Sequence, residues 1–353
     1  MAYDAATKTM LMFGGLGGPG YLGDTWSWNG ITWTRLSPSA RPPARSFAPM
    51  AYDAATKTVL LFGGEGLQYE EGNDSAYGGI SDTWSWNGTT WTELSPSTSP
   101  GPGEAGEQSM AYDPATGTVL LFTGCCSTPG QSQTWSWSGT TWTRLSPPKS
   151  PPAGDNSSMT YDAATATVLL LLGSGQTWNW NGTTWIRSSP PTSPPVGSGW
   201  SMDYDPATAT VLLFGGTGSA RTPAGAASPI AVLDETWSWN GAAWTKLSPA
   251  TNPGPRAGAS MAYDPDTKAI LLFGDEYEFK NDETWTLTGP SSFINTASDA
   301  KAWAGFPRYG VECQLPSVHP TFLTGPGGIQ AHHGEVDARR TLPRPQPRYR
   351  AIA

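Results

Sequence analysis

The chain has 353 residues, 37% of them hydrophobic and 14% charged, with 42 Gly and 33 Pro; so much Gly and Pro excludes a helical protein and points to a turn-rich, strand-rich one. Residues 1–290 hold 13 Lys and Arg against 25 Asp and Glu, a balance of −12, while residues 291–353 hold 7 against 4, a balance of +3. An acidic body excludes nucleic acid as the main partner, because phosphate binding needs a basic footprint, and no apolar run approaches the length of a membrane-spanning helix.

The opening phrase of the chain, "MAYDAATKTMLMFGG", returns five times. Copies start at Met1, Met50, Met110, Met159, Met202 and Met261, 43 to 60 residues apart, which makes this a repeat protein. From each Met to the first position of the Gly-Gly pair is 13 residues in all six copies, and from the first Trp to the closing Pro is 12 residues in the five that have both. The joint between these halves is elastic, running 12, 21, 12, 6, 22 and 11 residues.

Within a copy, four strands are predicted. The first ends at "MAYD" and turns through Asp-, Pro- and Gly-rich chemistry, as at Asp53, Asp113 with Pro114 and Gly117, and Asp205 with Pro206. The second, "TVLLFGG", is apolar without interruption, the pattern of a strand covered on both faces. The third is "DTWSW" and the fourth "TTWTELSP". Between them stands Asn-Gly or Ser-Gly (Asn29-Gly30, Asn87-Gly88, Ser138-Gly139, Asn181-Gly182, Asn240-Gly241), a hairpin signal that predicts positive φ at both residues. Trp26 and Trp28, and their equivalents in the next four copies, are two apart and so share one sheet face, where they are expected to pack blade against blade. Four antiparallel strands per repeat make the blade of an all-β propeller.

The apolar run closing in Gly-Gly, the fixed Trp of the later strands and an Arg ahead of the next copy (Arg45 in "PPARSFAPM", Arg256 in "PGPRAGASM") resemble kelch repeats, and the chain looks similar to bacterial kelch proteins related to the central propeller of galactose oxidase. The resemblance covers residues 1 to about 289. Copies three and four depart from Gly-Gly, with "FTG" at Phe122 and "LLG" at Leu171. It implies a six-bladed propeller over residues 1–307; a fragment of a seven-bladed ring is the rival reading. Copy six, "ETWTLTGPSS" from Glu283, lacks the "NGTTW" hairpin, so its last strand is expected in residues 301–307, where Trp303 and Pro307 echo "TTWTELSP". Residues 308–353, ending in the basic, Pro-rich "DARRTLPRPQPRYRAIA", are expected to be an irregular, partly disordered tail.

In an up-and-down blade the turns after strands one and three leave from one face of the disk, and the connections after strands two and four from the other. The first face carries tight turns of constant length. The second carries the elastic joints, and binding faces of repeat proteins collect such variation. A protein or glycan ligand is therefore expected there. The longest joints are Glu65 to Ser81 and Thr217 to Leu233; the first brings Tyr69, Glu70, Glu71, Asp74 and Tyr77, the second Arg221, and copy six adds Glu276, Tyr277 and Glu278. Carboxylates beside tyrosines suit carbohydrate or calcium, but a solvated acidic loop is the reading to prefer, since no regular calcium-loop motif accompanies them. Trp200 stands where other copies have Ala48, Gln108, Ser157 and Ala259, so it either fills the core or approaches the axis or the loop face.

No cofactor and no catalytic residue are expected. Copper-radical chemistry of the galactose oxidase kind requires His and Tyr ligands and a Cys-crosslinked Tyr, and the only histidines, His319, His332 and His333, lie outside the repeats. "SWNGTTW" resembles a sialidase Asp-box with Asn in place of the Asp, without an arginine cluster or Tyr nucleophile. "AYDPATGTVLLF" from Ala111 looks like the repeat motif of quinoprotein dehydrogenases, with Leu121 at the closing Trp, and Cys125-Cys126 is similar to their adjacent-cysteine disulfide. Three cysteines make no disulfide framework. The expectation is a monomeric, non-catalytic binding scaffold, extracellular or at a cell surface, though no signal peptide is visible in the chain; a carbohydrate-active or carbohydrate-binding propeller is the alternative, and a quinoprotein-like enzyme a remote one.

Overall fold

The computed structural model describes residues 1–17, 20–70, 73–102, 108–124, 132–153, 156–219, 231–274, 283–287 and 292–298. Each copy of the repeat forms a sheet in which four antiparallel strands lie in their chain order. The first blade is Ala2–Asp4, Thr9–Gly17, Gly20–Trp28 and Trp33–Leu36; the second is Met50–Asp53, Thr58–Phe62, Thr83–Trp86 and Trp91–Leu94. The third is Gln108–Asp113, Thr118–Thr123, Gln133–Trp137 and Trp142–Leu145, and the fourth Ser157–Asp162, Thr167–Leu172, Thr177–Trp180 and Trp185–Arg187. The fifth is Val196–Asp205, Thr210–Ser219, Thr236–Trp239 and Trp244–Leu247, and the sixth Ser260–Asp264, Ala269–Phe273, Glu283–Leu287 and Phe293–Ser298. The chain is a β-propeller.

The uninterrupted apolar second strands sit where their pattern demands. In the second blade Val59 and Leu61 face the first blade's Leu11 and Phe13, while Leu60 and Phe62 face Val119 and Leu121 of the third. From Val59 to Phe62 neither face of the strand meets water, so neither has a polar residue there. The paired tryptophans pack on the preceding blade: Trp84 and Trp86 join Leu11 and Phe13, and Trp135 and Trp137 join Leu60 and Phe62. The same arrangement repeats at the next junctions. Between sixth and first blades, Ala262 and Leu271 pack on Met10 and Trp28, closing the ring formed by the six blades among the described residues.

The fourth-strand tryptophan adds a directional bond. Its indole N–H donates to the third-strand Thr of the preceding blade: Trp91 to Thr25 (3.0 Å), Trp142 to Thr83 (3.0 Å), Trp185 to Thr134 (2.9 Å), Trp244 to Thr177 (2.9 Å) and, across the ring closure, Trp33 to Thr284 (2.8 Å). In the first four of these pairs a buried hydroxyl and a buried indole thereby satisfy each other. In the sixth blade Phe293 takes this place. Its amide donates to Thr251 as the amides of Trp91 and Trp185 do to their own linkers, and its ring meets Phe214 at 5.1 Å as Trp142 meets Phe62 at 5.3 Å. The phenylalanine side chain has no N–H, and the hydroxyl of Thr236, which would accept one, is buried without a partner. Among the described residues the fourth strand of this blade is therefore Phe293–Ser298; the expected strand 301–307 and the tail 308–353 lie outside the described residues. Only the Phe that replaced the Trp hid it.

The turn between third and fourth strands is shifted by one residue from the expected Asn-Gly. Trp86 pairs with Trp91 and Asn87 bonds Thr90, so Gly88 and Thr89 are the central residues, and of Asn87 and Gly88 only the glycine has positive φ (94°). That is the hairpin class with glycine first. The Asn side chain instead accepts from the amides of Thr89 (3.0 Å) and Thr90 (3.0 Å). A Cβ on Gly88 would lie 2.7 Å from the Thr7 methyl of the first blade, so φ and space both require glycine there. Thr7 belongs to the turn after strand one, so the two tight turns share a face.

Candidate functional site

The opposite face is uneven. In the first, second and fifth blades the chain continues past strand two into projections, whereas in the fourth Leu172 is tied back at once by a turn through Gly175. The first blade extends through Gly17 and Gly20, which pair with each other. In the second, Glu65–Glu70 and Asn73–Gly79 form a hairpin that the linker strand Arg45–Ser46 joins. In the fifth, Val196 pairs with Ser219 and Gly218 with Ala231. These projections present exposed Leu16, Leu67 and Val196.

Two linker arginines anchor this face. Arg45 is fully buried and donates to the carbonyls of Gly63 (2.9 Å) and Pro43 (3.0 Å) while pairing with Asp82 (2.7 Å from Nη2). Arg256, also buried, donates to Pro253 O (2.6 Å) and lies 3.6 Å from Glu283. A guanidinium tolerates such burial because its fork is filled by carbonyls and a carboxylate.

Of the residues singled out from sequence, Tyr69 and Glu70 lie on the first strand of the projecting hairpin and Asp74 and Tyr77 on the second, with Leu67 opposite Tyr77 and Glu70 opposite Asn73. Glu71, Arg221, Glu276, Tyr277, Glu278 and the pair Cys125-Cys126 lie outside the described residues. Trp200 is buried between the fourth and fifth blades against Leu169, Leu171 and Met202, so its ring is not offered to a ligand on the face. It covers Gly216, where a Cβ would approach the indole to 2.2 Å.

A second candidate is the central channel, a cavity of about 380 Å³ lined by the inner strands. The repeat sets its wall: Met50, Met110, Met159, Met202 and Met261 recur around it, and Tyr52, Tyr112, Tyr161 and Tyr263 stand one residue before the tight turns. Burial, and after it nearby turn carboxylates, raise the hydroxyls of Tyr52, Tyr161 and Tyr263 above the usual tyrosine range, so they remain neutral donors. Tyr3, raised by burial and by its bond to Asp266 (2.6 Å), does likewise.

One position breaks the symmetry. Where four blades carry Ala2, Ala51, Ala111 and Ala262, the fourth has Thr160 and the fifth Asp203. Asp203 accepts from Thr160 Oγ1 (2.6 Å) and Tyr204 N (2.8 Å) at Oδ1, and from Tyr263 N (2.7 Å) at Oδ2, linking three neighbouring blades. Its edge is open to the channel, yet enough protein surrounds it that burial pushes the carboxyl above the usual carboxylate range, against the opposing pull of these three hydrogen bonds. Sequence reading missed this pair. The signal was present as "MTYD" and "MDYD" among four copies of "MAYD".

Comparison with protein families found no match, and comparison with curated proteins found none. Among solved structures, the chain is similar to one titled "Structure of YjhT", with 13% identity over 77% of this chain and 90% of that one, at a TM-score of 0.55. At that identity the likeness is one of fold.

Proposed function

We propose that this chain is a kelch-type propeller, of the kind found at the centre of galactose oxidase, and that it serves as a non-catalytic binding scaffold. The kelch reading is supported by the two buried linker arginines, each reaching a glycine carbonyl at the end of strand two, at Gly63 and Gly274. The binding reading rests on one observation: one face is built from near-identical tight turns, while the other raises projections on the first, second and fifth blades with Leu16, Leu67 and Val196 exposed. Repeat architectures hold the constant part rigid and vary the recognition part. Exposed apolar side chains among acidic residues favour a protein partner, and a glycan ligand is the alternative.

The test replaces residues 67–77 and, separately, 219–230 by short turns like that of the fourth blade. Binding on protein and glycan arrays should fall for each variant, with unfolding free energy changed by no more than about 1 kcal/mol, as for surface sites. Binding that survives both replacements would refute the assignment to this face.

A further inference from the structure

A channel-lining carboxylate has about four lone-pair positions, and three of those on Asp203 are occupied, leaving one on Oδ2. Among the described residues the ion pairs are made by Arg35, Arg45, Lys246 and Arg256, and none of them is with Asp203. A carboxylate surrounded by protein is normally paired, because an uncompensated charge there is costly. Here the missing partner would have to come from the channel, whose other walls are thioether, alanine methyl, phenol, proline and threonine groups with the Met1 amine, which burial lowers to about 6 and so keeps mostly neutral at pH 7.

We propose that the central channel is a binding site for a small organic cation, a primary or methylated ammonium, with Asp203 as its counter-ion and the Met and Tyr wall around its apolar stem. The cavity's size, about 380 Å³, falls within the range of small-molecule sites, and its lining residues are chiefly Met, Ala and Tyr with Asp203 as the one acidic side chain among them. Tyrosine faces attract an ammonium through their quadrupole. Thr160 holds the carboxylate in place through its 2.6 Å bond and is a positioning residue. A hard divalent ion fits less well, since it wants six or more oxygen ligands and no three His, Cys, Asp or Glu side chains meet among the described residues. Anions meet the Asp203 charge and an acidic body.

The experiment titrates the full chain with n-butylammonium, tetramethylammonium, the neutral n-butanol, potassium and calcium at fixed ionic strength, reading the melting temperature and the heat of binding. One or both ammonium ions should bind saturably and raise the melting temperature, and n-butanol should not. Asp203→Ala restores the residue carried by four other blades and should fold; its ammonium affinity should fall by about tenfold or more, as for loss of an enclosed charge partner. Thr160→Ala should weaken binding less. Replacing residues 67–77 should leave it unchanged, which separates this site from the loop-face reading. The proposal is overturned if neither ammonium ion binds, if n-butanol binds equally well, if only potassium or calcium acts, or if Asp203→Ala binds as the unaltered chain does. The ligand series alone decides the matter should the variant not fold.

Discussion

At the junction of the second and third blades, Trp142 is fully buried, touches Phe62 and donates across the junction to Thr83. At the ring closure Trp33 makes the same bond to Thr284 and touches Phe273 at 5.2 Å, yet it is only partly buried and the cluster around it is smaller. At the junction of the fifth and sixth blades the ring is present but the bond is missing, because Phe293 leaves Thr236 unsatisfied. Apolar contact and the indole bond are thus separable parts of one junction. The repeat supplies both at four junctions within the chain, and blade six carries the weaker versions on either side.

The largest test of that contrast is truncation. Trp142→Ala should cost about 3–5 kcal/mol, the usual loss for a buried aromatic, and Trp33→Ala roughly half as much because part of its ring already meets water. Denaturant unfolding of both variants measures this, and equal losses would erase the distinction between internal and closing junctions. Sharpening it runs the other way. Phe293→Trp should restore the donor to Thr236 and raise stability by about 1 kcal/mol, the net value of one buried hydrogen bond. The gain should vanish when Thr236→Val is combined with it, and a gain that persists would mean added ring area, not the bond, was responsible.

The smallest effect concerns Asp203, which ties the inner strands on both sides of the fifth blade. Its folded-state carboxyl lies above the unfolded value, so the unfolded chain ionises first as pH rises. The stability contributed by the protonated form is complete below the ordinary carboxylate range and is lost as pH passes through the raised value. The melting temperature of the unaltered chain relative to Asp203→Ala should therefore decline from pH 4 to pH 8. Thr160 does not titrate, Tyr204 and Tyr263 stay protonated throughout, and the Met1 amine on the channel wall, lowered by burial to about 6, is common to both proteins. A difference that grows with pH would contradict the assignment.

The blades were legible because their cause is local. Spacing within "TVLLFGG" and "DTWSW" reports strand faces directly, and the tight turns follow from Asp and Gly chemistry. Two features were hidden for identifiable reasons. Asn-Gly was placed centrally in its turn, whereas the Asn side chain caps the following amides and moves the turn to Gly-Thr. The sixth blade's fourth strand begins at Phe293, and without a tryptophan it carries no mark of the repeat. The binding candidates on the second projection were legible as an insertion only; its hairpin form depends on pairing with a linker some twenty residues earlier.

The six-fold repetition, the all-β blade and the apolar sandwiching of every second strand are properties of short segments, and the amino-acid order determines them by itself. Ring closure is different. Whether Trp33 meets Thr284, and whether Thr160, Asp203 and the amide of Tyr263 converge on one axis, depends on segments 43 to 251 residues apart being brought together. No local pattern encodes that distance. It is decided when the sixth blade packs against the first, and only then do single departures from the repeat become a channel with one charged side.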